Sequence, residues 1–181
     1  MKKINKITTI LLVIMSLFAL SITVHADAYP AVKNKVESVA GRYKENSYEI
    51  KDIDGDGQEE GVIQFYGPGH GSARTLQIYK YKSGKVVKVL NDYVYGLSKL
   101  TVYKKGIIGY GAGHGGEWYR YYKLSGGKYK LVAIKSRVAK AGGSIYNGPW
   151  AYSNGKSTIT KSAFNAAIKG IKKNKKSVVK F

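Results

Sequence analysis

The residues best suited to chemistry lie in one short stretch, DIDGDGQEEGVI, at 52–63. Asp52, Asp54 and Asp56 take loop positions 1, 3 and 5, Gly57 takes position 6 and Glu60 takes position 9. That spacing turns carboxylates inward around a hard divalent cation, and the glycine permits the sharp turn. Gln58, at position 7, is expected to offer its backbone carbonyl, and Glu59 to face solvent or rim the site. The predicted ligands are therefore Asp52, Asp54, Asp56, Gln58 and Glu60. All are oxygen donors, which points to Ca2+ held with an affinity of about 10⁻⁴–10⁻³ M, as in extracellular modules. Five carboxylates within nine residues would repel one another in a metal-free turn unless lysines from elsewhere approached them. The ion's expected role is structural, pinning the first hairpin.

His70 and His114 form the second candidate group. Each sits between glycines, in YGPGHGSAR and YGAGHGGEWYR, with Arg74 and Arg120 downstream. An imidazole pair beside arginines could run acid–base chemistry on a phosphodiester. The alternative is that each histidine bonds backbone carbonyls across an equivalent glycine-rich turn, a fold-keeping role. A zinc set of His70, His114 and Glu117 is disfavoured, because His-x-x-Glu on a strand points the two side chains to opposite faces. No nucleophile elbow and no phosphate loop occurs. Only Asp92 and Glu117 lie beyond residue 60, which argues against a glycosidase pair.

These residues must be positioned by elements that the pattern predicts. The first 26 residues read as a secretory leader: Lys2, Lys3 and Lys6, an apolar run over 7–24, then small residues before a cut after Ala26 or after Ala28. The remaining 27–181 is the size of one domain. Pro30, Val32, Val36, Val39, Ala40 and Tyr43 predict an amphipathic helix over 29–46. From 48 to 153, short Val-, Ile- and Tyr-rich runs alternate with turns, predicting strands at 49–52, 61–66, 75–81, 86–90, 99–103, 106–110, 118–124 and 129–134. Ser83-Gly84, Lys105-Gly106, Gly126-Gly127 and Asn154-Gly155 mark the turns. Their close spacing requires antiparallel pairing. A second, basic helix is predicted over 160–173, with Phe164, Ala167, Ile168 and Ile171 inward, followed by a basic tail over 174–181.

Residues 66–90 and 110–134 can be laid over one another, with the two histidines 44 positions apart, a spacing typical of a propeller blade. Two units cannot close a propeller. The predicted class is α+β, mostly antiparallel β: a Tyr-rich twisted sheet, or two small sheets, with two blade-like units flanked by an N-terminal and a C-terminal helix.

The loop resembles the D-x-D-G-D-G-x-x-E calcium loop of FG-GAP and VCBS repeats in integrin-like propellers. It is EF-hand-like, but Ile63 stands at position 12 where an EF-hand has glutamate, and strand-like sequence flanks it. The chain after the leader is also similar to small secreted proteins of Gram-positive bacteria with an N-terminal helix, a strand running into DIDGDG-x-x-E, a Tyr-rich sheet and a glycine–histidine turn. Gly61 departs from the large apolar residue usual after the last glutamate. The resemblance implies calcium and an extracellular β fold, and carries over no catalytic residue.

Charge completes the reading. The whole chain carries +20, and +17 without the leader: −4 over 27–60 and +21 over 61–181. It has no cysteine, which excludes disulfides, thiol nucleophiles, zinc fingers and a lipid anchor through cysteine. Sixteen tyrosines supply half-buried strand faces, and Trp118, Tyr119, Tyr121, Trp150 and Tyr152 are candidates for an exposed platform. With six lysines between Lys169 and Lys180, such a surface suits an anionic polymer: teichoic acid, glycosaminoglycan, nucleic acid or anionic lipid. The function expected is a secreted, calcium-binding, non-enzymatic module retained on anionic extracellular or cell-wall polymers. The alternative is a small secreted phosphodiesterase or nuclease using His70 and His114.

Overall fold

The computed structural model describes residues 28–43, 45–67, 73–113, 115–139 and 147–181. The predicted leader, His70 and His114 lie outside them. No helix among the described residues is long and apolar enough to cross a membrane.

Helix α1 covers 28–40 and turns Val32, Val36 and Val39 inward. It is shorter than the predicted 29–46. Arg42 and Tyr43 close the last turn on Val39 and Ala40, and Asn46 Nδ2 donates to the carbonyls of Ala40 (3.0 Å) and Tyr43 (2.7 Å). With those orphan carbonyls satisfied, the chain enters strand β1, Asn46–Lys51.

Strands β2 (Glu60–Tyr66), β3 (Ala73–Lys82) and β4 (Lys85–Tyr95) follow, and β1-β2-β3-β4 form one antiparallel sheet. The chain then crosses through Gly96, at φ +44°, where a Cβ would stand 3.3 Å from the Ala112 carbonyl oxygen. Strands β5 (Leu97–Tyr103), β6 (Gly106–Gly113), β7 (Gly116–Ser125), β8 (Lys128–Val138), β9 (Ala151–Ser153) and β10 (Lys175–Lys180) build the second sheet, in the order β10-β5-β6-β7-β8-β9. The two aligned sequence units, 66–90 and 110–134, thus fall on the hairpins β3-β4 and β7-β8, each with the end of the strand before it. Each lies in its own sheet, so the two-sheet form of the predicted α+β class is the one adopted.

The sheets pack face to face over Val62, Leu76, Ile78, Leu90, Leu100, Val102, Ile107 and Tyr122, making a β-sandwich. Helix α1 covers the outer face of the smaller sheet through Val32, Val36, Ile63, Phe65 and Tyr79. Its close approach depends on Gly61: a Cβ there would lie 2.2 Å from Val36 Cγ2 and 3.0 Å from Val32 Cγ1. Glycine after Glu60 is therefore a helix-packing requirement.

Helix α2, Lys161–Ala167, covers part of the larger sheet's outer face through Phe164, against Tyr121 and Tyr152. Its N-cap Thr160 accepts from Ala163 N at 3.1 Å. The predicted helix over 160–173 and tail over 174–181 need correcting. The helix ends at Ala167, Gly170 turns the chain at φ +81°, and 175–180 is strand β10, with Val179 in the core.

Candidate functional site

The acidic loop joins β1 to β2 at the open end of the sandwich. Ile53 is fully buried between the sheets and anchors it. Asp52 accepts from Gly55 N at 2.6 Å and Gly57 N at 2.9 Å, with both glycines in the left-handed region. Asp56 Oδ1 accepts from Gln58 N at 3.0 Å, and Glu60 Oε2 accepts from Ile53 N at 3.0 Å. The loop wraps on its own carboxylates.

Side chains alternate along strands, so Glu60 shares the inner face of β2 with Val62 while Lys80 shares that of β3 with Leu76 and Ile78. The two meet where the core ends. Lys80 Nζ donates to Asp56 Oδ2 at 2.6 Å and Asp54 Oδ2 at 2.8 Å, and lies 3.0 Å from Glu60 Oε1. Lys80 is the residue that sequence reasoning missed; only its place at the end of an inward-facing row of β3 could have indicated it.

One ammonium does not balance Asp52, Asp54, Asp56 and Glu60. One carboxylate oxygen from each of Asp52, Asp54 and Glu60 lies within 4.8 Å of the others. Two buried oxygens, Asp54 Oδ1 and Gln58 Oε1, have no hydrogen bond, while Glu60 Oε1 has the Lys80 ammonium at 3.0 Å. Buried acceptors without donors are costly, and a divalent cation is the species that such an all-oxygen set would take. The donor set therefore fits Ca2+. Gln58 brings a buried side-chain oxygen to the cluster, where the sequence suggested its backbone carbonyl.

The electrostatics agree with crowding. Burial and the Asp54 charge push the Glu60 carboxyl up to about 7, against the pull of Lys80. Burial opposes the Lys80 ammonium, but its contacts with Asp54, Asp56 and Glu60 prevail and raise its pKa. Burial also works against the Asp56 carboxylate. Hydrogen bonds from Lys80 and Gln58 outweigh it and hold Asp56 below the usual range. A cavity of about 510 Å³ opens beside this cluster, walled by Val87, Val89, Leu124 and Tyr129.

Of the candidate acid–base set, Arg74 and Arg120 are described. Arg74 stacks on the Tyr66 ring at 4.5 Å. Arg120 donates to Asp92 Oδ2 through Nε (3.1 Å) and Nη2 (2.8 Å), and Tyr122 OH donates to the same oxygen at 2.8 Å. That triad ties β7 to β4. Glu117 pairs with Arg137.

The platform candidates divide between two faces. Tyr119 and Trp150 lie 6.0 Å apart on the outer face of the larger sheet, and Tyr110 lies 5.0 Å from Tyr119. Tyr152 packs beside them against Phe164 at 4.8 Å. Lys135 Nζ stands 3.7 Å and Arg137 Cζ 4.4 Å from the Trp150 ring centre. Tyr121 is buried beneath Phe164 instead, and Trp118, one residue from Tyr119, points the opposite way and packs over Gly111 and Gly96.

No protein-family model, curated protein or solved structure matches this chain.

Proposed function

We propose that the chain is a secreted, calcium-stabilised β-sandwich that acts as a binding module rather than an enzyme, held on anionic polymers by charge. The observation that carries the calcium reading is the cluster of Asp52, Asp54 and Glu60 carboxylate oxygens, with two buried oxygens beside it, at Asp54 and Gln58, that have no donor. Bound calcium would be held by Asp52, Asp54, Gln58 and Glu60, supplying the charge that Lys80 alone does not. It would also add to the cationic character of a body carrying +21 over 61–181. The non-catalytic reading is supported by Arg120, whose guanidinium is committed to Asp92.

Thermal melting tests the calcium site. At a Kd of about 10⁻⁴–10⁻³ M, roughly 10 mM Ca2+ adds about 1.4–2.7 kcal/mol. For a domain of this size that raises Tm by roughly 3–10 °C. Asp54→Ala should abolish the rise. A wild-type Tm unmoved by chelator and calcium alike overturns the site.

A further inference from the structure

The register of the larger sheet sets Lys180, Lys99, Tyr110, Tyr119, Lys135 and Tyr152 in one unbroken line of directly paired residues, one from each of its six strands. Directly paired residues share a face. The ring contacts agree: Lys99 Nζ lies 5.7 Å from the Tyr110 ring centre, and the row continues through Tyr119 to Trp150 and Lys135. At 4.7–4.9 Å per strand, the line is about 24 Å long. All six residues are exposed or half-buried.

The arrangement is unfavourable for the protein alone. Lys180 stands directly opposite Lys99, and like charges directly opposite one another weaken a sheet. Lys135 is partly desolvated and crowded by Lys172, Arg137 and Lys161, which together hold its ammonium below the ordinary lysine value. Glu117, the acid on this face, is already engaged by Arg137. A polyanion lying along the line would relieve both clusters at once.

The ring geometry selects among polyanions. Tyr110 and Tyr119 are tilted 45° to one another and Tyr119 and Trp150 56°, and two cations lie over Trp150. Stacking of successive bases needs aromatic faces open to each base, and these rings are turned onto one another and onto cations. Among the described residues, the exposed large apolar side chains, Tyr29, Tyr48, Tyr93, Tyr95, Leu124 and Val138, all lie off the line, so none of them offers it a wedge for a lipid surface. Lysines act as point charges and accept phosphate from many directions, which suits a flexible backbone.

We propose that this line is the docking track for a linear phosphate polymer without bases, its phosphates resting on Lys180, Lys99 and Lys135 with Arg137 alongside. This rests on the reading of the protein as a polyanion-binding module, and names its site and ligand class.

The test uses linear inorganic polyphosphate as the probe, titrated over a salt series, with a single-stranded oligonucleotide and phosphatidylglycerol vesicles in parallel. Lys99→Gln/Lys135→Gln/Lys180→Gln is compared with Lys85→Gln/Lys105→Gln/Lys128→Gln, which removes the same charge from exposed hairpin positions. The track variant should lose tenfold or more in affinity at low salt. Its log–log salt slope should fall by about 2, on roughly 0.7 per phosphate contact. The hairpin variant should change affinity less than threefold. Equal losses in both variants would overturn the track while leaving polyanion binding in place. Tighter binding of the oligonucleotide or the vesicles would overturn the ligand class. No binding of any polyanion by the wild type would remove the module reading itself. Circular dichroism shows that each variant is folded, and removal of like charges should leave the track variant at least as stable as wild type.

Discussion

Ser177 Oγ donates a 2.8 Å hydrogen bond to the backbone carbonyl of Ile53. The bond joins β10 of the larger sheet to the acidic loop of the smaller one, and Lys176 brings its ammonium to 3.2 Å from the point where a Cβ on Gly55 would sit. Loop geometry therefore depends on β10 being docked. Ser177→Ala removes a net contribution of about 0.5–1.5 kcal/mol. It should also weaken calcium binding several-fold, read as a smaller calcium-induced rise in Tm. Lower stability with an unchanged calcium response would show that strand and loop are uncoupled.

A metal bound in the loop would compete with Lys80 for the same oxygens. Without calcium, Lys80→Met leaves buried carboxylates uncompensated and should cost about 3–5 kcal/mol, the usual effect of removing one partner from a buried ion pair. With calcium, much of that loss should return, and the variant should bind the ion more tightly than wild type does. Calorimetric titration measures both proteins. A Lys80→Met variant that does not respond to calcium would mean that the loop is built for lysine alone.

Gly61→Ala tests the packing of α1. With the new Cβ 2.2 Å from Val36 Cγ2, the helix must move away from the sheet, and overpacking of this kind costs about 1–3 kcal/mol. Pairing Gly61→Ala with Val36→Ala should recover part of the loss in denaturant titrations. Strict additivity of the two would place the strain elsewhere.

Tyr121 sets an alkaline limit. Burial, reinforced by neighbouring Tyr119, Tyr103 and Tyr152, pushes its phenol up to about 12, and burial likewise raises Tyr122 and Tyr129. A folded-state value above the unfolded one means that the fold holds the neutral phenol. That contribution is complete below pH of about 10 and is lost as pH rises toward 12. Each tenfold difference in proton affinity between the folded and unfolded phenol is worth about 1.4 kcal/mol. Tyrosinate absorbance should therefore rise together with loss of the β signal in circular dichroism. Free titration of all tyrosines near pH of about 10 in a folded protein would contradict this.

Arg120 separates the module from the hydrolase. Arg120→Gln opens the triad with Asp92 and Tyr122 and should destabilise by about 3–5 kcal/mol. Polyphosphate binding by the folded fraction should be unchanged, and neither protein should cleave RNA or DNA. A wild-type nuclease activity abolished in a stably folded Arg120→Gln variant would favour the catalytic alternative.

Much of this architecture was legible because alternation reports burial directly. Val62 and Gln64 against Ile63 and Phe65 already divide β2 into two faces, and Ser83-Gly84 and Gly126-Gly127 turn where expected, all four residues at positive φ. The turn expected at Lys105-Gly106 falls one residue earlier, because Gly106 is the first residue of β6. Lysine density over 169–180 hid the strand in Ser177-Val178-Val179-Lys180, whose β-branched pair Val178-Val179 is the true signal. The acidic cluster of the loop could be read from local spacing. Lys80 could not, because its meeting with Glu60 depends on the β2–β3 register. The same holds for the platform: alternation separates Trp118 from Tyr119, but only helix packing decides that Tyr121 is covered while Tyr119 remains half-buried.

Lys180 facing Lys99 gives dissolved salt two opposing effects on this molecule. Counterions that gather between such lysines relax their repulsion and should make the sandwich harder to melt, yet the same counterions would displace a polyanion docked on the proposed track. Rigidity and adhesion would then vary in opposite directions with ionic strength. In dilute surroundings the protein would hold its ligand tightly and depend on it for part of its firmness; in brine it would be firm and unattached.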